Sequence, residues 1–121
     1  MILYHYTDKK INKLQVKFAF DNSYSQGDLK ACNIKRLFFY TDKQYKESFF
    51  KSSKYCYTVN IKDNYIYDLR SDKRQLKNKY SNIYDIINAI KRLKYKGIIY
   101  NVGFNIVNLF NDVKVIQDVT C

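Results

Sequence analysis

The sequence predicts an α+β domain, with a mostly antiparallel, split or curved sheet and two main helices. Short apolar or alternating runs, typical of strands, outnumber the helical patterns. Most neighbouring runs are joined by turns too short for a parallel crossover. One segment, Ser81 to Tyr95, repeats isoleucine and leucine at helical spacing. At 121 residues the chain is expected to form one domain, spanning residues 1–121.

The first half of the chain alternates short strands with polar segments. Ile2 to Tyr6 and Arg36 to Tyr40 are apolar runs that predict strands. Asp8 to Leu14 predicts a short helical turn, because its two large apolar residues are three positions apart. Asp21 to Asp28 is rich in turn residues and predicts a loop. That loop is either an ordinary surface connection or a segment that closes over a ligand.

A helix is predicted directly after the second strand. Thr41 and Gln44 have the spacing of a capping box, in which each residue satisfies a backbone N–H of the other. The helix that follows places Tyr45 and Phe49 on one face.

The second half begins with two more strands and a basic segment. Tyr55 to Ile61 alternates and predicts a half-buried strand, and Tyr65 to Leu69 predicts a short one. Arg70 to Lys79 is basic and polar, so we expect it to be exposed. Ser81 or Asn82 is a suitable N-cap for the long helix.

The chain closes on a predicted hairpin. Gly97 to Val102 and Phe104 to Phe110 are apolar runs separated by Gly103, a turn residue. Val113 to Ile116 predicts a last strand.

The net charge of +11 favours an anionic partner, such as a nucleic acid, an RNA–protein complex or an acidic protein face. AT-rich coding, indicated by abundant Lys, Asn, Ile and Tyr, would raise the lysine count in the same way. The cations expected to contact a nucleic acid lie on both sides of the long helix: Lys73, Arg74, Lys77, Lys91, Arg92 and Lys94.

The three cysteines, Cys32, Cys56 and Cys121, match no zinc spacing, and their odd number argues against a disulfide framework. We therefore expect a cytoplasmic protein, with Cys56 a small buried apolar residue. No apolar run approaches the ~20 residues of a membrane span, and the first residues do not resemble a signal peptide.

The ends of the first two strands carry a family resemblance. His5 and Thr7 follow one apolar run, and Tyr40 and Thr41 follow the other. A strand ending in His-x-Thr, then one ending in an aromatic residue and Thr, resembles the first two motifs of the ADP-ribosyltransferase fold. The resemblance extends to small phage-encoded and toxin-type mono-ADP-ribosyltransferases, including the kind that inhibits CRISPR immunity. That family splits NAD at the nicotinamide bond.

The resemblance implies a set of NAD contacts. His5 would bind the adenosine ribose, and the backbone beside it, at Tyr6 and Thr7, would hold the nicotinamide amide. Tyr40 would stack on the nicotinamide ring, a cation–π contact that Tyr45 or Phe49 would complete. Arg36 would pair with the pyrophosphate. His5 and Tyr40 are then expected to line one cleft. The alternatives are a local hydrogen bond for His5, core packing for Tyr40 and simple exposure for Arg36.

The acid of the third motif is missing from its expected place. Asn105 or Asn108 stands where the resemblance implies a glutamate, and an amide supplies no negative charge. Some short members of the family carry an aspartate near the preceding helix, which makes Asp85 the candidate. An aspartate in a first helical turn is also an ordinary stabilising residue. Asp68 and Asp72 are further candidates.

The resemblance implies an NAD-dependent mono-ADP-ribosyltransferase, a glycosyltransferase acting on a host macromolecule, as a toxin or an inhibitor of host defence. The first alternative is an inactive protein of the same fold that inhibits by binding a nucleic-acid or protein partner. The second is a plain nucleic-acid binder that uses lysines and exposed tyrosines.

Overall fold

The structure, a computed structural model, describes residues 1–11, 13–19, 33–42 and 53–114. These residues form an α+β arrangement of nine strands, two α-helices and one turn of 3-10 helix at Asp63–Tyr65. The strands are β1 Ile2–Thr7, β2 Lys13–Leu14, β3 Lys17–Ala19, β4 Ile34–Tyr40, β5 Tyr55–Asn60, β6 Ile66–Asp68, β7 Gly97–Asn101, β8 Asn105–Leu109 and β9 Val113–Lys114. The helices are α1 Leu76–Lys79 and α2 Ile83–Arg92.

Most of the strands belong to one mixed sheet. Its order is β5-β1-β4-β8-β7-β6, with β3 also paired to β4, while β2 and β9 form a separate pair. β6 and β7 are parallel, and the other pairs of the sheet are antiparallel. The parallel pair departs from the short-turn expectation because both described helices lie between these strands and supply the long crossover that parallel pairing needs.

β4 is a central strand of the sheet, with other strands paired along both of its edges. One of its edges pairs with β8 over Leu37 to Tyr40. The start of the opposite edge is taken by β3, so β1 registers with β4 only where Tyr4 faces Tyr40. β1 and its partner β5 therefore leave β4 beyond this point.

Two apolar cores cover the two faces of the sheet. On one face, the buried side of α2, with Ile87 and Ile90, packs against Tyr67, Ile98 and Ile106. On the other, Leu3 of β1 joins Phe39, Ile66 and Leu109, with Val59 and Ile61 beside them. Because Leu109 and Ile66 lie at the far end of the sheet from the Tyr4–Tyr40 pair, we infer that the β1–β5 ribbon folds across this second face.

Gly97 is required by a close approach inside the final hairpin. A Cβ at this position would lie 2.2 Å from the backbone oxygen of Asn108. The predicted hairpin is confirmed, since β7 and β8 pair from Gly97 with Leu109 to Asn101 with Asn105. The predicted helix is also confirmed, and the side chain of Asn82 caps it by accepting from the N–H of Tyr84 at 2.8 Å.

One local prediction was wrong. No helical turn is present in the described residues of Asp8 to Leu14, because Lys13 and Leu14 pair with β9 instead. The segment Arg70 to Lys79 is exposed as expected, except that Leu76 is buried and Asp72 is half-buried. The α1 helix forms there, with the Asp72 carboxylate accepting from the N–H groups of Leu76 and Lys77, both at 3.0 Å.

Cys56 is buried, as predicted, at 1% exposed. It is also disulfide-bonded, whereas the odd number of cysteines argued against a disulfide framework. The loop at Asp21 to Asp28, Tyr45 and Phe49 of the helix predicted after Thr41, and Ile116 of the last predicted strand lie outside the described residues. No helix in the described part of the chain is long and apolar enough to span a membrane.

Candidate functional site

His5 lies at the point where β1 stops pairing with β4. A hydrogen bond from its ring takes the place of the next backbone hydrogen bond between the two strands. Its Nδ1 is 2.8 Å from the backbone oxygen of Phe38. Because a carbonyl oxygen only accepts, Nδ1 carries the proton and donates. Burial lowers the pKa of His5, although the hydrogen bond to Phe38 acts in the opposite direction. The ring is therefore neutral at pH 7, and its visible role is to join two strands.

The expected cleft between His5 and Tyr40 is contradicted by the register. Tyr4 faces Tyr40 across β1 and β4, and successive side chains of a strand point to opposite faces. The His5 ring accordingly lies beside Phe39, with centroids 5.6 Å apart. The two strands are adjacent as predicted, but His5 and Tyr40 leave opposite faces of the sheet.

Tyr40 instead belongs to a short row of aromatic rings, which we call the aromatic surface: Tyr6, Tyr40 and Phe104. The ring centroids of Tyr6 and Tyr40 are 6.0 Å apart, as are those of Tyr40 and Phe104. Burial raises the pKa of Tyr6, assisted by the nearby Tyr4 and Asp42, so its hydroxyl stays protonated. Tyr6 is buried, and Tyr40 and Phe104 are partly buried against the core on the α2 face, so the alternative of core packing for Tyr40 is present.

Arg36 is buried inside the sheet and has no open path to a pyrophosphate. Its side chain is 2% exposed, with Nε donating to the oxygen of Ala19 at 3.1 Å and an NH1 hydrogen bond to Oδ1 of Asn108 at 3.0 Å. The guanidinium also lies 4.9 Å from the ring centroid of Phe38. The predicted exposure and the implied pyrophosphate contact are both replaced by a structural role.

Asp85 is not brought to Tyr40. The neighbouring Tyr84 hydroxyl accepts from the N–H of Asn33 at 3.0 Å, immediately before β4, whereas Tyr40 ends that seven-residue strand. A strand of this length spans about 23 Å. The Asp85 side chain is exposed in the first turn of α2, as expected of an ordinary N-terminal aspartate.

Asp72 serves α1, because its carboxylate accepts from two backbone N–H groups of that helix and from the Tyr67 hydroxyl. Thr7 is likewise engaged locally, its hydroxyl accepting from the N–H of Lys9 at 3.3 Å.

Asp68 lies in a group of four side chains at the hairpin end of the sheet, which we call the polar network: Asp68, Arg70, Asn101 and Asn105. Arg70 binds Asp68 through Nε and NH2, both at 2.9 Å, and donates to Oδ1 of Asn105 at 3.2 Å. The hydrogen bonds from Arg70 lower the pKa of Asp68, despite an opposing effect of burial. Asn105 follows Phe104, so the polar network adjoins the aromatic surface. The sequence signal for this pairing was the Asp-x-Arg at the end of a strand.

The positive charge is concentrated between β6 and β7. Residues 70–96 hold nine lysines and arginines against two aspartates, a surplus of seven in a chain whose total surplus is eleven. All nine side chains are exposed, and we refer to them collectively as the crossover surface: Arg70, Lys73, Arg74, Lys77, Lys79, Lys91, Arg92, Lys94 and Lys96. Coding bias would spread lysine evenly, and so does not explain this concentration.

Among the residues that the structure describes, no group of three or more His, Cys, Asp or Glu side chains is placed to hold a metal ion. No family model, curated protein or solved structure matches this chain.

Proposed function

We propose that this protein acts by binding a nucleic acid, alone or within a nucleic-acid–protein complex, through the crossover surface. The observation that supports it is the concentration of seven surplus charges on 27 consecutive residues. Lysine and arginine bind phosphate and release its counterions, which supplies most of the affinity of sequence-independent binding. Tyr84, 42% exposed at the start of α2, adds a ring on which a base stacks.

A function that does not cleave NAD also explains why the three residues that the resemblance assigned to catalysis are not brought together. His5 and Tyr40 face opposite sides of the sheet, and Asp85 lies toward the other end of β4. Asp68, the acid of the polar network, has its charge compensated by Arg70. A carboxylate paired in this way stabilises a developing oxocarbenium charge weakly.

The test is the salt dependence of binding to a fluorescein-labelled oligonucleotide, single-stranded or duplex, followed by anisotropy. We expect the K73Q/R74Q/K79Q variant to bind more weakly and with a shallower salt slope, by about 0.7 to 0.9 for each phosphate that the variant no longer neutralises. Lys77 is left intact, because its Nζ donates to the oxygen of Leu69 at 3.2 Å.

The matched control is K9Q/K17Q/K54Q, which removes the same charge from exposed lysines elsewhere. An equal loss of affinity in this control, or an absence of binding by the parent protein at about 20 mM salt, would refute the proposal, since phosphate contacts strengthen as salt falls.

The aromatic surface favours a second candidate, an NAD-dependent mono-ADP-ribosyltransferase acting on a host macromolecule, as the resemblance implies. The partly exposed rings of Tyr40 and Phe104 would take the nicotinamide ring. The polar network would supply Asn105 to a ribose hydroxyl and Asp68 as the acid. NAD would be the substrate, and the bond between its ribose and nicotinamide would break.

This candidate is tested by thermal unfolding with NAD and by release of nicotinamide. NAD at about 100 times its dissociation constant stabilises the folded state by ~2.7 kcal/mol. We expect Tyr40→Ala to remove that shift and Asp68→Asn to stop nicotinamide release while keeping the shift. If the folded protein shows no shift in melting temperature at millimolar NAD, the transferase candidate is refuted and nucleic-acid binding remains as the proposed function.

A further inference from the structure

We propose that the protein has a second, separate ligand site, which binds a mononucleotide in an open cleft of about 550 Å³. The cleft lies on the face of the sheet covered by the β1–β5 ribbon. Its lining is formed by Val59, Asn60, Ile61, Lys62, Tyr65, Lys96, Leu109, Asn111, Asp112, Val113 and Lys114. We call it the lysine cleft. Its volume is within the range of about 300–1,000 Å³ of small-molecule sites.

Three lysines line the lysine cleft. Lys62, Lys96 and Lys114 form no ion pair with a carboxylate in the described part of the chain. The carboxylate that lines the cleft, Asp112, is engaged elsewhere: Oδ1 accepts from the N–H of Val16 at 2.8 Å, and Oδ2 lies 3.4 Å from Nζ of Lys13. The cleft therefore presents a surplus of positive charge to a ligand.

The rest of the lining suits a ring rather than a bare ion. Apolar side chains, Val59, Ile61, Leu109 and Val113, contribute four of its eleven residues, and Tyr65 adds an aromatic face. Nζ of Lys96 already lies 4.4 Å from the Tyr65 ring centroid, so charge and aromatic surface adjoin each other.

Backbone hydrogen bonds fix both walls of the cleft before a ligand arrives. The N–H of Lys96 donates to the oxygen of Tyr65 at 2.7 Å, and the oxygen of Lys96 accepts from the N–H of Phe110 at 3.1 Å. On the other wall, the N–H of Ile61 donates to the oxygen of Met1 at 2.9 Å. Binding to a preformed site avoids the cost of ordering it.

These features select a phosphate ester with an attached ring. Three lysines match the two negative charges of a terminal phosphate better than the single charge of a carboxylate. The apolar wall and Tyr65 accept a flat base, while the amides of Asn60 and Asn111 offer hydrogen bonds to its edge or to a ribose. AMP contains all of these groups.

The test is isothermal titration of the full chain with AMP at about 20 mM salt, where phosphate contacts are least screened. We expect one AMP per chain. Adenosine and inorganic phosphate should each bind at least about fivefold more weakly, because adenosine lacks the phosphate for the lysines and inorganic phosphate lacks the ring for the apolar wall. Equal affinity for either fragment would overturn the assignment, as would an absence of AMP binding at about 5 mM.

Two variants locate the site. K62Q/K114Q should weaken AMP binding by about tenfold, whereas the matched control K9Q/K54Q should leave it unchanged. Val59→Trp should block the cleft, with its melting temperature measured to show that it folds. AMP binding that survives K62Q/K114Q refutes the lysine cleft.

The two proposals fail independently. AMP binding that is abolished in K73Q/R74Q/K79Q would assign the nucleotide to the crossover surface and overturn the separate site. Lys96 belongs to both surfaces and is therefore left intact in every variant.

Discussion

Arg36 on β4 and Asn108 on β8 share a buried hydrogen bond of 3.0 Å, and this bond orients the Asn108 amide. Because the guanidinium only donates, Oδ1 of Asn108 must face it. The Nδ2 of the same amide is then left buried, with no hydrogen-bond partner among the residues that the structure describes. One side chain thus satisfies an arginine at the expense of its own amino group.

We therefore predict that Asn108→Leu destabilises the protein although it removes an unpaired polar atom. The Arg36 guanidinium would lose a buried acceptor, which costs about 1–3 kcal/mol. Asn111→Leu is the matched control on the exposed side, with an expected effect within about 0.5 kcal/mol. Urea unfolding of both variants measures the difference. Equal stability of Asn108→Leu and the parent would show that Arg36 does not need this oxygen.

His5 predicts a loss of stability on mild acidification. Burial lowers its pKa below the ordinary 6.5, so the unfolded chain takes up a proton before the folded one does. Stability is fully present above pH 6.5 and falls as the pH drops from there toward the folded pKa, by up to about 1.4 kcal/mol per pH unit.

His5→Gln keeps a donor for the Phe38 oxygen but does not titrate. Denaturation midpoints at pH 7.5 and 5.5 should therefore differ less in this variant than in the parent. The aspartates whose pKa is lowered, Asp68, Asp72 and Asp112, lose their contribution only below about pH 4, outside this window. An equal pH response of variant and parent contradicts the burial of His5.

Gly97→Ala is predicted to be among the most damaging small substitutions. The new methyl group would meet the Asn108 backbone oxygen at 2.2 Å, and strands β7 and β8 would have to separate. We expect a loss of about 3 kcal/mol or more, the upper range for overpacking. Gly103→Ala is the comparison, where open space surrounds the site but φ is +98°. Its cost should be about 1–2 kcal/mol. The reverse order of the two melting temperatures would contradict the close approach.

Asp72 and Asp85 are both aspartates of the crossover, and their substitution by alanine should separate two roles. Asp72→Ala removes the acceptor of two α1 N–H groups and of the Tyr67 hydroxyl, with an expected loss of about 2 kcal/mol. Asp85→Ala removes one exposed charge near a helix N-terminus, worth about 0.3–1 kcal/mol. Thermal unfolding compares them. A nicotinamide-releasing activity abolished only in Asp85→Ala would restore the catalytic role that the resemblance gave this residue.

The elements that the sequence predicted correctly are those in which local pattern and burial agree. The isoleucines of α2 recur on one face, and the runs on both sides of Gly103 are apolar and short, so tertiary packing reinforces the local preference. Ile11 and Leu14 have helical spacing, but Leu14 lies in β2, which pairs with a distant strand, β9. The spacing of apolar residues along one sequence does not show that a distant strand competes with the local helical preference.

The candidate site was predictable as a list of residues but not as an arrangement. The layout of the two segments predicted that His5 and Tyr40 lie on adjacent strands. Which face of the sheet each side chain occupies depends on the register of β1 with β4, and the layout does not give that register. A shift of one residue exchanges the two faces of a strand. The pairing of Asp68 with Arg70 was local enough to be predicted, but its link to Asn105, 35 positions from Arg70, was not.

The position of β4 between β1 and β8 has a consequence for how the chain reaches its fold. β4 pairs along one edge with residues as far away as Leu109, which pairs with Leu37. Long-range strand pairing of this kind is associated with folding in milliseconds to seconds rather than microseconds. During synthesis, Leu37, Phe38 and Phe39 leave the ribosome long before β8 exists to cover them. The interval is an opportunity for aggregation, and a chaperone that holds this segment would raise the yield of folded protein.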